Sequence, residues 1–221
     1  MKEKTKLSKI VALVMCLMLT LTMFSTYSFA SITQDTDTAN IVVNGVEAGV
    51  KVSAYQLTTV NYDYTADQPQ STPYSWVPQI ETLVQAIDSS YVGTNGINNF
   101  VTAITTGDTA ENSKSFYSEL AAAIRGADIV AAKEETVTGS PTFPITTNGS
   151  VTLEGLEMGT YLVLIENGYK VYTPSVVNLT PVFKTNTWVL EDKELDIKSS
   201  DPSITKTVTN DTLDKDCLLY T

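Results

Sequence analysis

Three lysines, Lys193, Lys198 and Lys206, punctuate the segment WVLEDKELDIKSSDPSITK from Trp188 to Lys206. A lysine amine is a nucleophile only when neutral. With an ordinary pKa of about 10.4, roughly one amine in a few thousand is neutral near pH 7. Nucleophilic chemistry at these positions therefore needs a base or desolvation to supply the neutral amine. Other chemistries are poorly supplied. The chain has no histidine, which removes Ser-His and Cys-His pairs and every His-containing metal site. Acidic residues number 25, and an acidic surface pairs carboxylates by chance; none stands in a recognisable glycosidase context. No catalytic activity, metal or cofactor is expected.

The positioning elements begin after a leader. Lys2, Lys4, Lys6 and Lys9 precede an apolar run from Ile10 to Phe24 that ends at Ser28-Phe29-Ala30. This pattern reads as a secretory signal peptide over residues 1–30, cleaved between Ala30 and Ser31. Its apolar core is shorter than the roughly 20 residues a spanning helix needs. Met15 before Cys16 is too large for a lipoprotein signal, so no lipid anchor is expected. Taking the leader's four lysines and Glu3 from 14 basic and 25 acidic residues leaves ten and 24, a net charge of −14. With one arginine and no basic run, the term that dominates nucleic-acid affinity is missing. Only Cys217 remains after cleavage, so no intrachain disulfide can form.

Strand signals open at Ile41. Ile41-Val42-Val43 meets Asn44-Gly45, and Val50, Val52 and Ala54 then alternate with Lys51, Ser53 and Tyr55, which predicts a half-buried hairpin. The period then changes. Ile80, Leu83, Val84 and Ile87 follow Pro78 at helical spacing, and Ile97, Phe100, Val101 and Ile104 repeat it. A third helix is expected after a cap at Asp108, with Phe116, Leu120 and Ile124 inward and Gly126 at its end. Strands return after Pro141. The continuous run Leu162-Val163-Leu164-Ile165 predicts a central strand covered on both faces, by sheet core on one side and helices on the other. Phe183, Trp188 to Leu190 and Leu195 to Ile197 supply the last strands. Trp76 and Tyr74, beside Pro73 and Pro78, are expected to pack at a helix start, with an aromatic binding patch as the alternative.

The expected architecture is mainly β: an Ig-like/Cna-type antiparallel β-sandwich with a helical insertion at about 78–132. It divides into the signal peptide at 1–30, an N-terminal domain at 31–199, and the first strand of a second domain at 200–221, where Ile204, Lys206 and Val208 begin a new alternation after Pro202. The second domain reads as truncated. Residues 216–221 depart in composition from all that precedes them, so Cys217 carries no expected function.

Several pieces together resemble the N-terminal region of sortase-assembled pilins of Gram-positive bacteria, the isopeptide-forming fimbrial subunits. They are Gly45 to Gln56; Gly155-Leu-Glu-Met-Gly-Thr-Tyr-Leu-Val-Leu164; Val171-Tyr-Thr-Pro-Ser-Val-Val177; and Lys198-Ser-Ser-Asp-Pro202 leading into Ile204-Thr-Lys206. The resemblance implies a structural subunit of a cell-surface pilus, extracellular and wall-attached at full length. In that family a pilin-specific sortase holds one subunit's C-terminal threonine as a thioester, and a lysine of the next subunit attacks it. Such a lysine commonly closes a Trp-x-x-x-Val-x-Val-Tyr-Pro-Lys pattern. Here Trp188 precedes Lys198, but one residue too far away, and Asp196-Ile197 stand where Tyr-Pro is usual. A one-residue slip reverses the face of a strand, which leaves Lys193 as the second candidate.

The resemblance implies a separate role for Lys206: an isopeptide bond to an asparagine on the last strand of its own domain, beyond Thr221. No such bond is expected within residues 31–199, because Ile41-Val42-Val43 lacks a lysine and Tyr161 and Glu166 point oppositely. Implied partners are other pilin subunits, a pilin-specific sortase and a host surface ligand; nucleic acid, and the membrane after processing, are excluded. The alternative function is a cell-surface adhesin or ligand-binding β-module that is not polymerised. The Asn-x-Ser/Thr strings at Asn148, Asn178 and Asn210 are expected to be incidental.

Overall fold

Two neighbouring strands, each apolar on both faces, set the architecture. The computed structural model describes residues 32–34, 37–106, 111–141 and 144–202. In it β2 (Lys51–Asp63) pairs antiparallel with β6 (Gly159–Glu166). Along β6, Tyr161, Val163 and Ile165 enter one core while Leu162 and Leu164 enter another. Val52 and Ala54 of β2 join the first, and Tyr55 and Leu57 the second. The expected doubly covered strand is therefore present, and the helical insert covers one of its faces.

The larger sheet runs β3 (Gln68–Trp76), β2, β6, β8 (Ser175–Leu179), with β4 (Lys133–Thr136) following β3 along the outer edge of β2. A smaller sheet of β11 (Lys193–Asp196), β1 (Thr38–Val46) and β5 (Gly149–Glu157) packs on its sandwich face. Ile41, Val43, Leu153 and Ile197 fill the space between them. The other face carries α1 (Pro78–Ile87), α2 (Gly93–Thr106) and α3 (Glu111–Gly126). Ile80, Val84, Ile97, Phe100, Phe116, Leu120 and Ile124 point inward there, as the helical spacing predicts. The Asp108 cap lies outside the described residues.

Three departures from expectation share one cause, pairing between residues distant in the chain. Residues 41–54 do not form a hairpin: β1 pairs with β5 and β11, while β2 belongs to the other sheet. The turn between them, with Gly49 at φ +83°, passes from one sheet to the other. For the same reason β2 is buried on both faces, Ser53 and Tyr55 lying under the helical side rather than in solvent. The sandwich is antiparallel except at its rim, where β11 runs parallel to β1 with Ile41 opposite Lys193.

Polar ties fasten the layers. Thr160 Oγ1 donates to Asn178 Oδ1 (2.7 Å), and Asn178 Nδ2 reaches the carbonyl of Val101 (3.1 Å) and Thr105 Oγ1 (2.8 Å) on α2. Asn178 is thus a buried strut and not an exposed acceptor. Trp76 packs at 4.8 Å on Phe100 and donates its indole N–H to the carbonyl of Tyr91 (3.0 Å), which settles its role as packing. At Gly159 a Cβ would lie 2.1 Å from the Thr58 carbonyl, so only glycine lets β6 approach β2 there.

Candidate functional site

The sandwich ends at a short bare stretch between two anchors. Ile197 is buried and its N–H donates to the carbonyl of Asn44 (3.0 Å). Gly45, at φ +80°, lies against the Ile197 carbonyl so closely that a Cβ would sit 3.0 Å away. On the far side, β12 (Ser199–Ser200) pairs with β7 (Val171–Tyr172), Ser199 opposite Tyr172 and Ser200 opposite Val171. Lys198 stands between them. Its carbonyl accepts from Thr173 N–H (3.1 Å), and its side chain is exposed.

The other lysines whose side chains are described are partnered. Lys51 meets Glu134 (3.0 Å) and Glu166 (3.4 Å), Lys133 meets Glu135 (3.5 Å), Lys170 meets Asp201 (2.6 Å), and Lys184 meets Glu191. The bond it donates to Glu134 holds Lys51 above its ordinary pKa. Lys193 stands 4.0 Å from Glu191. Among these lysines Lys198 alone is in no ion pair with a described residue.

The two candidate acceptors therefore differ in kind. Lys193 and Leu195 are half-buried on the inward face of β11, with Ile197 continuing that face, whereas Glu194, Asp196 and Lys198 face solvent. Lys193 also borders a groove under Val176 and Thr180. Lys206, Ala30 and Ser31 lie outside the described residues. No lysine with a described side chain is buried in the sandwich core, and Glu166 is engaged on the outer face by Lys51 and Arg125 (3.2 Å).

Behind β7 lies a carboxyl group that local pattern does not reveal. Glu47, in the turn between β1 and β2, is 1% exposed. Its oxygens accept from Tyr169 N–H (3.0 Å), Lys170 N–H (2.7 Å) and Tyr172 O–H (3.1 Å), while its own N–H donates to the Tyr172 oxygen (2.9 Å). Burial pushes the Tyr172 phenol up to about 12, and the neighbouring carboxyl adds to the rise.

A second concavity, about 450 Å³ and open, is lined by Tyr74, Trp188, Asn98, Gln68 and prolines 69, 73 and 181, with no charged residue. No group of His, Cys, Asp or Glu among the described residues could hold a metal ion.

No protein-family profile matches the chain, and no curated protein matches it by sequence. Among solved structures, a backbone pilin of Streptococcus pyogenes with a modular three-domain structure is 20% identical, at a TM-score of 0.48 over 81% of this chain and 31% of that one. The full-length major pilin SpaD of Corynebacterium diphtheriae is 12% identical, at a TM-score of 0.32 over 77% and 32%. Both similar structures are Gram-positive pilins. This chain spans about a third of the length of each. No helix among the described residues is long and apolar enough to cross a membrane.

Proposed function

We propose that this chain is the N-terminal part of an exported pilus subunit, in which Lys198 is the amine that joins one subunit to the next. The observation that carries this reading is the combination at Lys198 of a backbone held on both sides with an exposed amine in no ion pair among the described residues. A rigid base limits where the amine can be, and an unpaired amine gives up no ion pair on entering another protein's active site.

The reaction is acyl transfer from a thioester. A sortase cysteine carries the C-terminal threonine of another subunit. The deprotonated Nζ of Lys198 attacks the thioester carbonyl carbon, the C–N bond forms, the C–S bond breaks, and the departing sulfur takes up the proton the amine releases. The deprotonation falls to the sortase, because no carboxylate among the described residues is paired with the exposed amine. Lys193 is the weaker candidate: it is half-buried on the inward face and already beside Glu191.

The test is co-expression of the full-length subunit with its sortase, followed by mass spectrometry of the high-mass ladder. A branched peptide at Lys198 is expected, and a ladder that survives Lys198→Ala would overturn the assignment. The leader at residues 1–30 and cleavage after Ala30 belong to the same proposal, as does wall attachment of the full-length protein. Lys206 is proposed to form the internal bond of the following domain, which predicts an intact mass lacking one ammonia.

A second reading rests on the uncharged aromatic groove between Tyr74 and Trp188, which suits a neutral polar ligand on a host surface. Quenching of tryptophan fluorescence by a panel of neutral oligosaccharides, lost in Trp188→Ala, would favour it.

A further inference from the structure

We propose that buried Glu47 is the positioning residue that makes Lys198 presentable, acting through the turn that precedes β7. The inference rests on the reading of Lys198 as the acceptor amine, but the clamp itself can be measured without it.

A ladder of two residue pairs is too short to hold a strand by itself. Yet among the described residues β12 pairs only with β7, and β7 is itself two residues long and outside both larger sheets. What fixes β7 must come from elsewhere. The Glu47 carboxyl supplies it: three donors converge on its two oxygens, and two of them are main-chain N–H groups of consecutive residues just before β7. The third, Tyr172, is the residue opposite Ser199. Tyr172 both donates to the carboxyl and accepts from the Glu47 amide, so it is held at one oxygen by two bonds.

The path to the amine is then short. Glu47 fixes Tyr169, Lys170 and Tyr172; Thr173, the next residue, donates to the Lys198 carbonyl; and the Lys170 ammonium reaches past β12 to Asp201. Gly168 permits the close approach, since a Cβ there would lie 2.9 Å from the Tyr172 ring and 3.2 Å from the Glu47 carboxyl. Ile197, on the other side of Lys198, is tied to Asn44 by a hydrogen bond that does not involve the Glu47 carboxyl. The segment thus has two anchors, one at Ile197 in the sandwich core and one through Glu47, the latter including Tyr172, whose ring packs against that same core.

The variant Glu47→Gln keeps the volume but replaces one accepting oxygen with an N–H₂, which meets a main-chain N–H in place of bonding it. In the full chain, Thr173 amide exchange should quicken about tenfold or more while Ile197 exchange holds, because only the anchor through Glu47 is opened. Transfer from the sortase thioester onto Lys198 should slow about tenfold from lost orientation. Val84→Ala, on the inward face of α1, is the control for general destabilisation and should leave Thr173 exchange and transfer unchanged. If Glu47→Gln leaves Thr173 exchange and the transfer rate at wild-type values while Lys198→Ala abolishes the ladder, the clamp is wrong and the acceptor assignment stands. If Thr173 exchange quickens but Lys198→Ala leaves the ladder intact, the clamp exists and its link to subunit joining is overturned.

Discussion

Lys193 and Lys198 lie on one short segment, yet the fold treats them oppositely. At β11 the backbone is laid parallel to β1 and the lysine side chain is turned inward beside Glu191. Past Ile197 the backbone is still held, by Asn44, Thr173 and β7, but the lysine side chain faces solvent with no ion-pair partner among the described residues. If Lys198 is the acceptor as proposed, the difference teaches that such a lysine is marked less by an unusual side-chain environment than by an ordinary side chain on a backbone that cannot wander.

The strongest way to break this comparison is to remove each amine in turn. Lys198→Ala should abolish the covalent ladder, a loss of 100-fold or more if acceptance is confined to one site, while Lys193→Ala should stay within about twofold of wild type. Equal losses, read by densitometry of the ladder, would mean that β11 contributes a reactant. The anchor between them comes next. Ile197→Ala should cost about 2–4 kcal/mol in urea unfolding, because it opens a cavity in the sandwich core, and should also slow transfer at Lys198. Leu195→Ala, half-buried on the same face, should cost less.

A smaller effect separates the two anchors. Tyr172→Phe keeps the ring but deletes the oxygen that bonds twice to Glu47, at an expected cost of about 1–2 kcal/mol by denaturant titration. Its effect on Thr173 exchange should exceed its effect on Ile197 exchange. The smallest effect concerns pH. The Lys184 ammonium, with a lesser contribution from Lys193, holds the Glu191 carboxyl below its ordinary value of 4.5. An acid depressed in the folded state contributes stability that is complete above its unfolded value and lost as pH falls through its folded value. The stability gap between wild type and Glu191→Gln should therefore be present at pH 7 and close below about pH 4.5. The gap should be slight, because the carboxylate is 35% exposed.

Local pattern carried much of this fold. The run Leu162 to Ile165 announced a strand covered on both sides, and the spacings at Ile80, Ile97 and Phe116 announced the helices that cover it. What it did not carry was partnership. Nothing in Ile41-Val42-Val43 says that its neighbours are β5 and β11, and the turn at 47–50 looks like a hairpin until both sheets are seen. β3 was hidden by Pro69 and Pro73, which an edge strand tolerates, and β4 by the sequence Lys-Glu-Glu-Thr, which has no apolar alternation at all. The site divides in the same way. The exposed position of Lys198 past the last sandwich strands was legible from its place in the sequence, and its role remains a proposal. Glu47 was not, because a glutamate in a turn ordinarily faces solvent and its partners are groups more than 120 residues away, two of them main-chain amides that no sequence motif encodes.

The two-residue pairing of β12 with β7 also bears on how such a subunit would carry load. If subunits are joined at Lys198, tension enters at its ε-amine and runs through its backbone directly into the chain that follows. The sandwich and its helical layer then hang beside the line of force instead of within it. Among the described residues, pulling would meet β12, the Lys170–Asp201 pair and the Glu47 clamp. On that geometry the N-terminal domain could remain without a covalent brace in its core and still survive strain that would unravel any domain placed in series.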